Sequence, residues 1–217
     1  MRVDHVIMGA RSIEPLRELL WERYGFGVTD GSPNPDGTAS WVVPFDTDDV
    51  QYLELLVPHD EAALTAGEFG RVFLERTADG PAFLNWAALA DDIEAAAERV
   101  RAVLGADPEL IRGESVRADG CRVPWAEAAF AASWAVPSRP FFLEYGDWPA
   151  RRARVPGDLA AAGHRTTPTA ITAVVVGTGL GDWPGSDELP VEVLPGGDGI
   201  REIRVATAGG EVSVSLP

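Results

Sequence analysis

The sequence predicts an α+β fold in which one βαβββ unit occurs twice and a third, eroded β-rich unit follows at the C-terminal end. A strand pattern, a helix pattern and three further strand patterns run through residues 1–60 and again through 82–148. The helix starts of the two copies align at an offset of 80 residues, which places Ile93 over Ile13. Because a lone unit of this kind leaves an apolar sheet face uncovered, the two are expected to pack as a pseudo-symmetric pair.

The first unit begins with a short apolar strand at residues 2–8. Ser12 is a good N-cap, and leucines at helical spacing then predict an amphipathic helix that ends at Gly25. Three extended stretches complete the unit, at residues 26–29, 40–45 and 50–57. The predicted order is therefore strand, helix, strand, strand, strand.

The second unit starts after a connection at residues 61–81. Its first strand is FLNWAAL, and Asp91 or Asp92 then caps a helix that ends at Gly105. Three further strands are predicted at 109–115, 122–129 and 140–145. The same element order as in the first unit results.

The rest of the chain divides into a linker at residues 149–169 and an incomplete unit at 170–217. Strand patterns occur in the incomplete unit at 170–176, 190–194, 200–206 and 211–216. The GTGLG sequence near residue 177 stands where a helix is expected, and no helix pattern follows it, so it is interpreted as a loop. A homodimer formed through this third unit is one hypothesis for its role.

Composition excludes several classes of function. With 18 basic against 34 acidic residues, the formal net charge is −16, which disfavours nucleic acids and anionic membranes as partners. Cys121 is the only cysteine, so the chain can form neither an intramolecular disulfide nor a cysteine metal cluster. The amino terminus does not resemble a signal peptide, and no apolar run is long enough to span a bilayer, which predicts a cytoplasmic protein.

Several segments in the expected order resemble glyoxalase-like domain proteins of the vicinal oxygen chelate superfamily. They are DHVIMGARSIEPLRELLWERYGFGV, YLELLVPHD, EFGRVFLERTADGPAFLNWAALADDIEA and PFFLEYGDWP. The resemblance spans residues 2–148. It implies that the paired βαβββ modules form a cupped mixed sheet around a cavity for a small-molecule ligand or substrate.

The resemblance also implies candidate metal ligands on the first and last strands of each module. These positions carry polar side chains whose alternation lets them converge, namely His5, Glu54, Asn85 and Glu144. A divalent Mn, Fe, Ni, Co or Zn ion held by His5, Glu54 and Glu144 would act as a Lewis acid on a carbonyl or enediolate. Glu144 is the predicted general base, and the implied activity is that of a lyase, isomerase or dioxygenase on an oxygen-rich small molecule.

Each candidate also has a structural interpretation. His5 and Glu54 fit a buried hydrogen-bonded pair as well as a ligand pair, and Asn85 is more typical of a pocket wall than of a metal ligand. Trp41 and Trp125 lie on the probable third strands and are predicted to line the pocket. The competing functions are a metal-free binding protein similar to drug-sequestering bleomycin-resistance proteins and a purely structural or protein-interaction role.

Overall fold

The computed structural model of the chain describes residues 1–116 and 122–217. These residues form a mixed α+β fold with a curled eight-stranded sheet and a separate four-stranded sheet. The predicted fold class of paired βαβββ modules is therefore confirmed.

The first module contains, in order, β1 (Arg2–Gly9), α1 (Ile13–Leu19), a π-helical turn (Leu20–Tyr24), β2 (Ser32–Pro33), β3 (Thr38–Pro44) and β4 (Tyr52–Pro58). The helical segment stops at Gly25, whose φ of 73° is in the left-handed region that glycine favours. The strand predicted at 26–29 is absent, and a two-residue β2 takes its place in the sheet. The segment instead packs on the backbone near Ala162, so closely that a β-carbon at Gly27 would lie 1.9 Å from the Ala162 carbonyl oxygen.

The connection and the second module contribute the next elements. They are α2 (Glu61–Ala66), α3 (Glu68–Arg76), β5 (Ala82–Leu89), α4 (Ile93–Leu104), β6 (Ile111–Val116), β7 (Arg122–Ala128), α5 (Phe130–Ala135) and β8 (Phe141–Tyr145). As predicted, Asp92 caps α4: its side chain accepts a hydrogen bond from the Ala95 amide. The helix ends at Gly105 with a φ of 66°.

The two modules join into one sheet through their first strands. β1 and β5 lie side by side and antiparallel, while β1 pairs in parallel with β4 and β5 in parallel with β8. The strand order is β2-β3-β4-β1-β5-β8-β7-β6, so each half repeats the arrangement of the other. This is the pseudo-symmetric pair that the repeat predicts.

The strand register corrects one detail of the predicted repeat. Ile7 pairs with Glu54 in the first module, and its counterpart at the offset of 80, Ala87, pairs with Phe141 in the second. The counterpart of Glu54 is thus Phe141 and not Glu144. Because side chains alternate along a strand, Glu144, three residues after Phe141, points to the opposite face of the sheet.

The large sheet separates two layers of core. One face packs on α1, α4 and the small sheet through apolar side chains that include Val6, Met8, Trp86 and Phe142. The cupped face carries a second apolar cluster that includes Ile7, Leu56, Ala87 and Leu143. Residues that follow one another in a strand therefore belong to different layers.

The C-terminal part contains α6 (Trp148–Ala153), α7 (Val155–Ala162), β9 (Pro168–Val176), β10 (Val191–Val193), β11 (Ile200–Thr207) and β12 (Gly210–Val214). The segment interpreted as a linker thus includes two helices, and its Arg151 is 4% exposed. The four strands form the small sheet in the order β10-β9-β11-β12. None of the helices in the described part of the chain is long and apolar enough to cross a membrane.

Candidate functional site

A cavity of about 410 Å³ lies against the cupped face and is lined by residues of both modules. Its apolar wall consists of Ile7, Leu56, Phe69, Trp125, Phe130, Phe141 and Leu143. Its polar groups belong to His5, Asn34, Asp36, Glu54, Ser115, Glu127 and Tyr145. A mainly apolar cavity with a few convergent polar groups is typical of a small-molecule site.

A bulge in β1 gives His5 its orientation. Val3 pairs with Ala88 and His5 with the adjacent Ala87, so Asp4 is an extra residue in the ladder. Asp4 is 1% exposed, and its Oδ2 lies 2.7 Å from Nδ1 of His5. The bulge therefore allows two consecutive side chains to meet.

The charge state of Asp4 determines which nitrogen of the His5 ring carries the proton of their hydrogen bond. Burial alone would raise the pKa of Asp4, but the positive charge of Arg151 and the hydrogen bond with His5 outweigh it and hold the pKa below its usual range. An ionised carboxylate only accepts hydrogen bonds, so Nδ1 of His5 carries the donated proton. Nε2 is then the ring atom that is available to accept a proton, and His5 lines the cavity.

Arg151 holds Asp4 from behind the cavity. Its Nη2 lies 2.6 Å from Asp4 Oδ1, and both side chains are almost completely buried. The guanidinium carbon lies 3.8 Å from the ring centroid of Tyr145. Tyr145 also lines the cavity. A residue of the segment interpreted as a linker thus positions the first strand of the protein.

Glu54 continues this network into the cavity. Its Oε2 lies 3.5 Å from His5 Nε2, and its Oε1 accepts a hydrogen bond of 2.8 Å from Ser40. Asn34 donates in turn to the Ser40 hydroxyl over 2.7 Å. The His5 ring also stacks on Tyr52, with ring centroids 4.7 Å apart. The structure therefore brings His5 and Glu54 together, as their placement on β1 and β4 predicts.

Glu127 faces the same cavity from the second module. Burial raises its pKa to about 7, His5 opposes this increase and Glu54 adds to it. The sequence analysis missed Glu127, although it contained the necessary signal. Glu127 lies two residues after Trp125 on one strand, so both side chains point to the same face. Trp125, which the sequence analysis predicts in the pocket, is one of the lining residues.

Glu144 does not lie in the cavity. Its Oε2 accepts a hydrogen bond of 2.9 Å from the Ile93 amide at the start of α4, on the other face of the sheet. A carboxylate is favourable there because the first amides of a helix lack partners within the helix. The structure therefore contradicts the predicted position of Glu144 as a general base and metal ligand in the pocket.

Two further predicted pocket residues also lie outside the lining of the cavity. Asn85 is fully buried, and its Oδ1 accepts hydrogen bonds from the Trp86 amide and the Ser133 hydroxyl. Trp41 packs on the core of the opposite face because it alternates with Ser40, whose hydroxyl contacts Glu54. Both predictions are therefore wrong, for different reasons: Trp41 belongs to the opposite face of the sheet, whereas Asn85 pairs with the cavity residue Ile7 but is buried against Ser133 of α5.

The predicted metal ligands do not form one donor set. His5 and Glu54 are neighbours, but Glu144 lies on the other face and the Asn85 oxygen already accepts two hydrogen bonds. Within residues 1–116 and 122–217, no three His, Cys, Asp or Glu side chains are arranged to hold a metal ion. The residues present therefore do not fit the divalent ion that the resemblance implies.

Paired βαβββ modules in one cupped sheet around a cavity are the architecture expected of a glyoxalase-like protein. The sequence profile of the glyoxalase-like domain family matches residues 3–179, and the chain belongs to this family. No curated protein sequence matches it.

Several solved structures are similar to this chain. A hypothetical protein from Staphylococcus aureus is 13% identical with a TM-score of 0.59, and the match covers 93% of this chain and 89% of that chain. A methylmalonyl-CoA epimerase from Streptomyces coelicolor, solved with 2-nitronate-propionyl-CoA, is 19% identical with a TM-score of 0.45, over 67% of this chain and 96% of that chain. The epimerase from Mycobacterium tuberculosis is 16% identical with a TM-score of 0.40, over 66% and 85% of the two chains.

Proposed function

We propose that the protein is an isomerase or lyase that moves protons within a small molecule bound in the cavity. His5 is the general base and Glu127 the general acid. The observation that carries the proposal is that these two groups, one from each module, face one cavity, with a buried carboxylate behind His5 and a pKa of about 7 at Glu127. A pKa near the working pH is what general acid–base catalysis requires.

The proposed step acts on a carbon atom next to a carbonyl group. Nε2 of His5 removes a proton from this carbon, and the electrons of the broken C–H bond form a C=C bond. The carbonyl oxygen takes the proton of Glu127 at the same time, which gives a neutral enol, an imidazolium and a carboxylate. An isomerisation is completed when the imidazolium returns a proton to carbon and the enol returns its proton to the Glu127 carboxylate. In an elimination the enol also returns its proton to Glu127, while the group on the adjacent carbon leaves with the electrons of its bond and takes the imidazolium proton.

The residues around His5 suit this step. The imidazolium that forms lies between the carboxylates of Asp4, at 2.7 Å from Nδ1, and Glu54, at 3.5 Å from Nε2. Arg151 keeps Asp4 ionised, so Asp4 stabilises the imidazolium without removing its proton. Glu54 is held by Ser40 and thus stays beside the ring.

The apolar wall of the cavity favours a second candidate, in which the protein binds a small molecule without changing it. The two functions differ in one observable property. An acid–base enzyme exchanges a carbon-bound hydrogen of its ligand with solvent, whereas a binding protein does not.

The experiment screens small carbonyl compounds for binding by ligand-observed NMR and then follows their C–H signals in D₂O. Wild type is expected to exchange a carbon-bound hydrogen of at least one ligand. His5→Gln and Glu127→Gln should each slow this exchange by about 100-fold or more while retaining binding. Glu144→Gln is the matched control and should leave exchange unchanged. Ligands that bind wild type without any exchange or conversion would refute the proposal in favour of the binding function.

A further inference from the structure

The charged groups that line the cavity are mostly acidic. Carboxylates of Asp36, Glu54 and Glu127 line it together with a single imidazole. None of the described lining residues is an arginine or a lysine. The chain as a whole carries a formal charge of −16, which adds a field of the same sign.

The buried arginine close to the cavity does not reverse this sign. The charge of Arg151 is matched by Asp4, whose Oδ1 lies 2.6 Å from Nη2. The Tyr145 ring, which lines the cavity, lies 3.8 Å from the guanidinium carbon. Arg151 is therefore paired with a carboxylate behind the aromatic wall and is not among the lining residues.

Aromatic rings form a continuous part of the wall. The Phe130 ring lies 6.0 Å from that of Phe69 and 5.2 Å from that of Phe141, measured between centroids. Trp125 and Tyr145 also line the cavity. Aromatic faces carry negative electrostatic potential and attract organic cations, most clearly quaternary ammonium groups.

One carboxylate of the site, that of Asp36, is held in place by hydrogen bonds. Asp36 Oδ1 accepts hydrogen bonds from the Thr38 amide, at 2.8 Å, and from the Thr38 hydroxyl, at 2.6 Å. Thr38 is itself fully buried. Asp36 is thus a rigid acidic group at the cavity, and the proposed proton transfer does not use it.

From this combination we infer that the cavity selects a cationic ligand, a small amine or quaternary ammonium compound with an apolar body, over a carboxylate or a phosphate. The inference rests on the proposed function in one respect: it assumes that the substrate of the acid–base pair binds in this same cavity. It names the chemical class of substrate on which the acid–base pair acts. The ammonium group is expected to contact the carboxylates and ring faces, and the apolar body to fill the aliphatic part of the wall.

Three benzyl compounds of similar size test this selection in the full chain. Benzyltrimethylammonium, benzyl alcohol and phenylacetate are titrated by calorimetry at a pH of about 8, where Glu127 is ionised. The quaternary cation is expected to bind about 10-fold tighter than the alcohol, and phenylacetate more weakly than either. The charge of benzyltrimethylammonium does not depend on pH, so the result does not depend on the protonation state of this probe.

Matched variants locate the effect. Asp36→Asn and Glu127→Gln should each weaken the cation about 5-fold and leave the alcohol unchanged. Glu18→Gln, which removes the same charge from the exposed surface of α1, should change neither affinity. Equal or tighter binding of phenylacetate overturns the inference, and so does failure of the cation to bind. If cations bind but no amine ligand exchanges a carbon-bound hydrogen, the proposed acid–base function is refuted and the cation selection stands. If only anionic ligands exchange a carbon-bound hydrogen, the cation selection is refuted and the acid–base function stands.

Discussion

Replacing Glu127 by glutamine is expected to stabilise the folded protein at high pH but hardly at low pH. Burial raises the pKa of Glu127 from 4.5 to about 7, so the folded state holds this proton more tightly than the unfolded state. Ionisation of Glu127 therefore opposes folding increasingly as the pH rises from about 4.5 to about 7, and by a constant amount above that. Glutamine has no charge and removes this opposition.

The size of the effect follows from the two pKa values. Their difference of about 2.5 corresponds to about 3 kcal/mol in the free energy of unfolding, at about 1.4 kcal/mol for each pKa unit. At about pH 5 the same linkage gives less than about 1 kcal/mol, because Glu127 is then protonated in the folded state. Glu127→Gln should thus gain about 2 kcal/mol more at about pH 8.5 than at about pH 5.

Urea denaturation followed by tryptophan fluorescence measures both values, since the chain contains 7 tryptophans. Glu18→Gln on the surface of α1 is the control for the loss of one negative charge. A gain of equal size at the two pH values, or a loss of stability at about pH 8.5, would show that Glu127 is not held in a buried site that raises its pKa.

Three further outcomes are expected. Arg151→Met should lower the free energy of unfolding by about 3–5 kcal/mol, because it leaves the Asp4 carboxylate buried without a cation, and Asp4→Asn in the same chain should recover part of the loss in urea denaturation. Glu144→Ala should cost about 1 kcal/mol by removing the acceptor of the Ile93 amide, with unchanged ligand affinity in calorimetry; a large loss of affinity would return Glu144 to the pocket. Treatment with a chelator should leave the rate of isotope exchange unchanged. If the chelator abolishes exchange and one divalent ion restores it, His5 and Glu54 are metal ligands.

The sequence predicts the fold well because its local signals agree with each other. The N-cap at Asp92 and the glycine stops at Gly25 and Gly105 delimit two helices, as expected from capping preferences. The duplicated element order then predicts that the two modules pack as a pseudo-symmetric pair, because this arrangement covers the apolar sheet face of each module. The segment 26–29 is the exception, since its packing near Ala162 depends on residues far along the chain.

The candidate site is less predictable because it depends on register. The segments YLELL and FLEYG both place a glutamate after a leucine, and only the pairing of β8 with β5 shows that Phe141, and not Glu144, corresponds to Glu54. The same alternation, counted from Trp125, identifies Glu127 on the cavity face.

Two other features of the site are not visible in local patterns. The bulge that brings Asp4 to His5 is a property of the ladder between β1 and β5. The contact of Arg151 with Asp4 joins the first strand of the large sheet to the helix that follows its last strand. Neither periodicity nor composition indicates a contact between residues so far apart in sequence.

The most direct test of the acid–base pair is the pH dependence of isotope exchange at limiting ligand, measured in wild type and Glu127→Gln. A general acid must be protonated, so the wild-type rate is predicted to fall as the pH rises through about 7. This decrease should be absent in Glu127→Gln, whose residual rate is lower throughout. A decrease near the same pH that persists in Glu127→Gln would contradict the account, because another group would then supply the proton.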